Sequence, residues 1–357
     1  MLHLCLLLCL ATLAGKLHIN ASSARCPCPM SSPEISVLIV SINVRDDLCA
    51  CLRSLRRAAS EAEFEVIVVD NASTDGSTQV VEAEFPEVRL HKADRNLGFA
   101  AAMNVALQTA RGEFVLGLNP DTLVSGGSIA KLIAFLKEHP KAAIVGAQLT
   151  WPDGRLQNST FTDPTLPKEL LNFFPEIKRI LKPRDLLRAL APIPRNGNSP
   201  PARRVQCVSG GAFLARTRIL RDVVGFDEAF FVYHEDIDLC RRLRAAGWQV
   251  WSLPSAQVVH LDARCSGYSQ YRFSSMPLLA WRLAGMDHYW RKHRSRSAHR
   301  AWRRQALALL NVRILLIFAG VLLGFRGRER GLGRIEELRA VKRMLRPPKG
   351  ESTAQVA

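Results

Sequence analysis

The chain has 357 residues, 48% of them hydrophobic, which supplies apolar material for one large domain or two modest ones and excludes a chain disordered throughout. Its 49 Lys and Arg against 32 Asp and Glu give a formal net charge of +17, pointing to anionic partners: nucleic acid, anionic lipid or phosphorylated substrates. The excess is local, with seven Lys/Arg and no acid between Arg291 and Arg304, whereas a nucleic-acid binder more often spreads charge along a face interleaved with stacking aromatics.

The first segment, Met1 to Ala14, is an apolar run resembling a signal-peptide core, but no Lys or Arg precedes it. It is also shorter than the ~20 residues of a spanning helix. Residues 1–30 are expected to be a disordered or membrane-touching leader. From Ile35 the pattern is regular. Ile35–Val40 reads as a buried strand, and Leu48, Leu52 and Leu55 recur at helical spacing. Phe64–Val69 is a second strand ending at Asp70, and Asp75-Gly76-Ser77-Thr78 opens a helix. Val88–Leu90 is a short strand, Gly98–Ala110 an Ala-rich helix, and Phe114–Leu118 a strand running into Asn119-Pro120-Asp121. Ile129–Leu136 reads as a helix and Ala142–Leu149 as a strand, with a turn at Trp151-Pro152-Asp153-Gly154.

Residues 162–204 carry prolines at 164, 167, 175, 183, 192, 194, 200 and 201 amid Lys, Arg and Leu, and read as a long basic insertion. Strand character returns over Val205–Leu214, broken by Gly210-Gly211. Ile237–Ala246 reads as a helix, and Trp248–Leu253 and Gln257–His260 as two strands. Beyond Tyr268 the chain is helical and basic, with an apolar run from Leu307 to Phe325 interrupted by Asn311 and Arg313. Strands alternating with helices predict an α/β fold with a mostly parallel sheet. Nine cysteines include two one-residue gaps, Cys26-Pro27-Cys28 and Cys49-Ala50-Cys51, which are too close for the usual zinc pairs. They read as buried or incidental thiols of a reducing compartment.

Ligands of open α/β sheets bind outside the carboxyl ends of the strands. Asp70 and Asp121 both follow strands, and a dense acidic cluster, His234-Glu235-Asp236-Ile237-Asp238, stands farther along. Asp70 can meet a base or ribose, or serve a turn. Neither Gly-x-Gly-x-x-Gly nor a Walker lysine is present, so a diphosphate would need another counter-charge. A divalent cation on Asp121 supplies one, with Asn119 coordinating or orienting and His260 offering a nitrogen. Arg95 and Asn96 offer donors where the third helix opens; a plain helix start explains Gly98 equally well. Carboxyls packed beside Phe230-Phe231-Val232-Tyr233 gain basicity, so Asp236 is the expected general base with Glu235 as the alternative. Asp238 is expected to favour the helix N-terminus. Ser209-Gly210-Gly211-Ala212 permits close ligand approach and would line a sugar or acceptor pocket with Trp151, or else form a bulged strand.

Five stretches, Ile35 to Asn43, Val69 to Ser77, Asn96 to Asn104, Asn119 to Asp121 and Ser209 to His260, together resemble the inverting family-two glycosyltransferases of the GT-A fold. The branch most resembled contains bacterial rhamnosyltransferases of cell-wall and O-antigen assembly. The resemblance implies a Rossmann-like catalytic domain over residues 31–265; the tail carries no family motif and reads, from its charge and apolar run, as a helical, membrane-associating extension over 266–357. The resemblance implies nucleotide contacts from Ser41, Asn43, Asp70, Arg95, Asn96 and Asn119, and a Mn2+ or Mg2+ ion on Asp121 and His260. It further implies a single displacement in which Asp236 activates an acceptor hydroxyl. The donor would be a nucleotide diphosphate sugar, dTDP-rhamnose or a UDP-sugar, and the acceptor a lipid-linked or cell-surface glycan. Two differences stand out: Ile42-Asn43 replaces the family's Tyr-Asn, and Asn-Pro-Asp replaces Asp-x-Asp.

The basic 291–304 segment beside the apolar 307–325 run suggests a peripheral seat on the anionic cytoplasmic face of the cell membrane. Arg313 argues against a simple span, since a charge at mid-bilayer costs ~3 kcal/mol or more. The rival is a helical cap on the catalytic domain. Three other functions compete: a nucleotidyltransferase, disfavoured because Val44-Arg45-Asp46-Asp47 lacks glycine; a polyanion or nucleic-acid binder driven by charge; and a glycosyltransferase-like protein without activity. No nucleic-acid partner is expected.

Overall fold

A computed structural model describes residues 32–168, 200–261, 276–323 and 328–345. The expected leader, most of the proline-rich insertion and the C-terminal end lie outside them. The first half runs β1 (Ile35–Ser41), α1 (Arg45–Arg57), β2 (Phe64–Asp70), α2 (Ser77–Glu84), β3 (Arg89–Lys92), α3 (Phe99–Thr109), β4 (Phe114–Leu118), β5 (Thr122–Val124), α4 (Ser128–Glu138) and β6 (Ala142–Thr150). The second half runs β7 (Thr160–Phe161), β8 (Arg203–Arg204), β9 (Cys207–Val208), β10 (Ala212–Arg216), α5 (Thr217–Asp222), α6 (Glu235–Ala245), β11 (Gln249–His260), α7 (Met276–His293), α8 (Arg296–Leu322) and α9 (Arg328–Met344).

Nine strands form one sheet in the order β3-β2-β1-β4-β10-β6-β11-β5, with β8 beside β11. The β3, β2, β1 and β4 group is parallel, while β10 enters antiparallel between β4 and β6. Alternate residues of β1 feed two different cores. Ile35, Val37 and Ile39 pack with Leu48, Leu52 and Leu55 of α1, whereas Leu38 and Val40 pack with Met103 and Ala106 of α3. Coverage of both faces is the reason β1 reads as a continuous apolar run. A third cluster, built on Tyr289, Trp290, Trp302 and Leu310 and reaching Phe230, unites α7, α8 and α9. The described residues from Pro33 onward fall in one compact unit.

Two local expectations differ from the structure, and one strand was not expected at all. The segments 248–253 and 257–260 are one strand, β11, whose register against β6 shifts between Leu253 and Gln257. Pro254 has no amide hydrogen to donate, so the ladder crosses it as a bulge and does not end. The 205–214 stretch divides between two sheets, with β9 pairing β7 and β10 entering the main sheet. The short β5 carried no periodic signal at three residues, yet it pairs antiparallel with the end of β11.

Candidate active site

Parallel β2 and β4 flank β1, so Asp70 and Asp121 emerge at the same edge of the sheet. Antiparallel β10 brings its first residue opposite Leu118, which sets Gly210 and Gly211 at that edge as well. The Asn119 amide donates to the Gly211 carbonyl at 3.0 Å. The Gly210 amide in turn donates to Asp236 Oδ2 at 3.3 Å, which draws the start of α6 over the strand ends. Chain reversal and backbone pairing thus gather three acidic stations far apart in sequence.

Beside them lies a cavity of about 370 Å³, which Asp236 lines and Ser41, Asn43, Asp70 and Asp121 do not. Asn96, Asn119, Gly210, Gly211, Glu235, Asp236 and His260 line it as the sequence suggests. Its remaining wall is aromatic and amide-rich: Phe99, Phe161, Phe231, Tyr233 and Trp281 together with Asn71, Gln157 and Asn158. Arg95, exposed beside it, and Trp151, in its surface turn, do not line this cavity. The sequence reading overlooked Trp281 because it belongs to α7, which no local motif ties to the sheet.

The loops after β1 and β2 form a connected pair. Asp70 is buried; its Oδ2 accepts the Ser73 amide at 2.8 Å, and Oδ1 has no hydrogen-bond partner among the described residues. Ser41 is likewise buried with its hydroxyl unsatisfied. Buried polar atoms left unpaired cost stability and mark positions that a ligand can complete. Asn43, at φ 50°, accepts the Thr74 amide through Oδ1 at 2.7 Å and thereby joins the β1 and β2 loops. Asn71 holds the start of α3, its Nδ2 donating to the Gly98 carbonyl at 3.2 Å. Gly98 is more than a helix start: its φ is 83°, and a Cβ there would lie 2.5 Å from the Phe231 carbonyl.

Asp121 is 0% exposed, and its Oδ1 lies 3.3 Å from His260 Nε2. Asn119 Nδ2 approaches the same nitrogen at 3.4 Å. Gln157 fixes the ring. Its Nε2 donates to the His260 carbonyl at 2.7 Å, so its Oε1 faces His260 Nδ1 at 2.8 Å and accepts that proton. A neutral His260 therefore turns the Nε2 lone pair towards the Asp121 carboxylate. Two electron-rich atoms so placed, with an outer amide fixing the tautomer, fit a divalent cation. Among the described residues no three His, Cys, Asp or Glu side chains cluster for a metal.

At the other wall, burial first and then the neighbouring Asp236 push the Glu235 carboxyl up to about 8. Glu235 Oε2 is buried without a hydrogen-bond partner among the described residues. Burial also raises Asp236, against amide donors from Ile237 and Gly210. Asp238 points the other way: burial opposes its ionisation, but His293, Lys292 and Arg242 hold it below the usual carboxylate range. It stands in the first turn of α6, as expected, and also anchors α6 to α7.

Residues 36–191 match the family described as Glycosyl transferase family 2. N-acetylglucosaminyl-diphospho-decaprenol L-rhamnosyltransferase of Mycobacterium tuberculosis is 32% identical over 221 residues, spanning 58% of this chain and 70% of that protein. The chain belongs to glycosyl transferase family 2. Its fold is that of GT-A enzymes. A mannosyltransferase of Pyrobaculum calidifontis, solved with GDP-Man and Mn2+, superposes with a TM-score of 0.50 at 19% identity, covering 88% of each chain. GalNAc-T7, solved with UDP, GalNAc and Mn2+, also gives 0.50 at 16% identity, over 74% of this chain and 49% of its own.

Proposed function

We propose that this glycosyltransferase moves a sugar from a nucleotide diphosphate donor to a hydroxyl of a lipid-linked or cell-surface glycan, with inversion at the anomeric carbon. The observation that carries the reading is the single cavity bounded by Asp236 on one wall and by Asn119 and His260 on the other. Asp70, Ser41 and Asn71, with unsatisfied or amide groups at the strand ends, take the base and ribose. Asn96 and Asn119 orient the donor beside them. Asp121 and His260 would hold a divalent cation, which when bound offsets the negative charge of the departing diphosphate. Asp236 accepts the proton of the acceptor hydroxyl as that oxygen attacks from the face opposite the diphosphate. Glu235, protonated near neutral pH, adds no second negative charge beside it. Gly210 and Gly211 leave space for the sugar.

The donor reading favours dTDP-rhamnose, because the Mycobacterium tuberculosis relative is named a rhamnosyltransferase acting on a diphospho-decaprenol; UDP-sugars are the alternative. Residues 31–265 are taken as the catalytic module and 266–357 as the extension. Among the described residues α8 alone is long and apolar enough to cross a membrane. Leu315, Leu316 and Leu322 are 65%, 61% and 70% exposed, while the N-terminal half of α8 carries Arg296, Arg300, Arg303 and Arg304. An apolar stripe next to guanidinium groups supports a peripheral seat on an anionic bilayer surface.

The test is sugar transfer from a panel of nucleotide sugars to a polyprenyl-diphosphate acceptor, with Asp236→Asn and Asp121→Ala beside the unaltered chain. Loss of transfer by roughly a thousandfold in both, with melting curves preserved, is expected. Equal turnover in Asp236→Asn would remove the base assignment.

A further inference from the structure

Helix α7 devotes one face to the loop that carries the acidic pair. Trp281, Gly285, His288 and Lys292 recur at helical spacing, flanked by Arg282, Tyr289 and His293, and each of these seven meets the 227–241 segment. Lys292 Nζ bridges Asp227 at 2.7 Å and Asp238 at 2.8 Å, on either side of Glu235 and Asp236. His288 adds a 2.9 Å contact to Asp227, and His293 one of 2.6 Å to Asp238.

Inside this bracket the backbone is strained. Tyr233 and His234, neither of them glycine, hold φ of 71° and 75° immediately before Glu235. Consecutive left-handed residues with large side chains persist only where their surroundings enforce them. The enforcing contacts come from α7: the half-buried His234 ring meets the Arg282 carbonyl through Nε2 at 3.1 Å, and Gly285 faces the strained turn directly. A Cβ at Gly285 would lie 2.9 Å from the Tyr233 carbonyl oxygen and 3.1 Å from His234 Cδ2.

Resting on the reading of Asp236 as the base, we propose that α7 is the positioning element of the acidic pair, and that Gly285 and Lys292 are positioning residues for Asp236. Neither touches substrate in this account. They hold the 233–234 turn so that the Asp236 carboxyl is presented to the cavity, with its Oδ2 on the Gly210 amide.

In a helix with only a scaffolding role, Gly285→Ala would cost stability through the 2.9 Å contact with the Tyr233 carbonyl but leave the kcat of the folded enzyme unchanged. The proposal expects kcat to fall too, by roughly tenfold or more, because a small misplacement of a reacting group is costly. The KM of the nucleotide sugar should change less than about twofold, and the acidic limb of the kcat–pH profile should move. Lys292→Met, which adds no atom at the turn, should give the same pattern more weakly and decides the matter if Gly285→Ala does not fold. Ala284→Ser, on the exposed side of α7, should behave as the unaltered chain. Hydrogen exchange at the amides of 233–237, read without any assay of transfer, should quicken in both variants. Unchanged exchange together with an unchanged pH profile would overturn the proposal, as would a donor KM rising in step with the loss of kcat. An unaltered chain inactive with every donor would count against the assigned reaction and leave the exchange result to judge α7.

Discussion

Glu235 and Asp236 are neighbours in sequence with unequal settings. Glu235 is 7% exposed, and burial with Asp236 beside it lifts its carboxyl from 4.5 to about 8. Below pH 4.5 both folded and unfolded chains hold that proton, so the group does not alter stability. Between 4.5 and about 8 only the folded chain holds it, and stability falls as pH rises. Glu235→Gln removes this titration. The variant should match the unaltered chain in melting temperature at and below pH 4.5 and exceed it increasingly up to pH 8. Thermal melts across that range check the sign. Gln157 acts at the opposite wall through His260. Gln157→Leu deletes the acceptor that holds the Nδ1 proton, so the ring is free to change tautomer. Outer-sphere partners of this kind typically carry 10- to 100-fold in metal affinity. The melting-temperature rise given by a nucleoside diphosphate with Mn2+ should shrink in the variant, while the rise without Mn2+ should not.

At the scale of elements, the start of α3 is fixed from two sides. Asn71 holds the Gly98 carbonyl, and the Phe99 amide donates to the Phe231 carbonyl at 2.7 Å. The loop before α6 therefore rests on the N-terminus of α3, and only a residue without Cβ fits between them. Gly98→Ala combines a left-handed φ with a 2.5 Å clash against backbone, so a loss of roughly 2 kcal/mol or more is expected in urea unfolding. The Phe99 and Phe231 walls of the cavity should shift with it, weakening nucleotide-sugar binding by isothermal titration. The insertion is also tied in at its beginning: Asp163 pairs with Arg241 at 2.9 Å and with Arg244 at 2.6 Å, linking the segment after β7 to α6.

At the scale of the whole molecule, the charge and the apolar surface fall on the same helices. Leu315, Leu316, Phe318 and Leu322 are exposed along the C-terminal half of α8, as is Leu323 just beyond it, while Trp302, Leu310 and Ile317 of the same helix are buried against α7 and α9. Among the described residues the helix is thus a packed cap that also exposes apolar side chains, and the membrane seat proposed above rests on the exposed ones. Replacing Leu315 and Leu316 with Asp should lower co-sedimentation with vesicles containing phosphatidylglycerol without altering the melting temperature, because neither side chain is buried. Salt should weaken the residual binding, as screening of guanidinium–lipid attraction requires.

The sequence by itself determined the longer strands of the sheet, the helices between them and the strand-end aspartates. Each of these is written locally, in apolar runs, helical spacing and turn residues, and doubly covered strands such as β1 and β4 are hard to mistake. It also supplied five motifs whose shared order carries the family. Tertiary structure alone decided that the Gly210 amide meets Asp236, that Gln157 sets the His260 tautomer, and that Trp281 from a distant helix closes the cavity. It decided too that a left-handed turn at 233–234 is held by α7. These are contacts between segments dozens of residues apart, and no periodicity or spacing records them, because their energy appears only when the chain has folded and the partners are desolvated together.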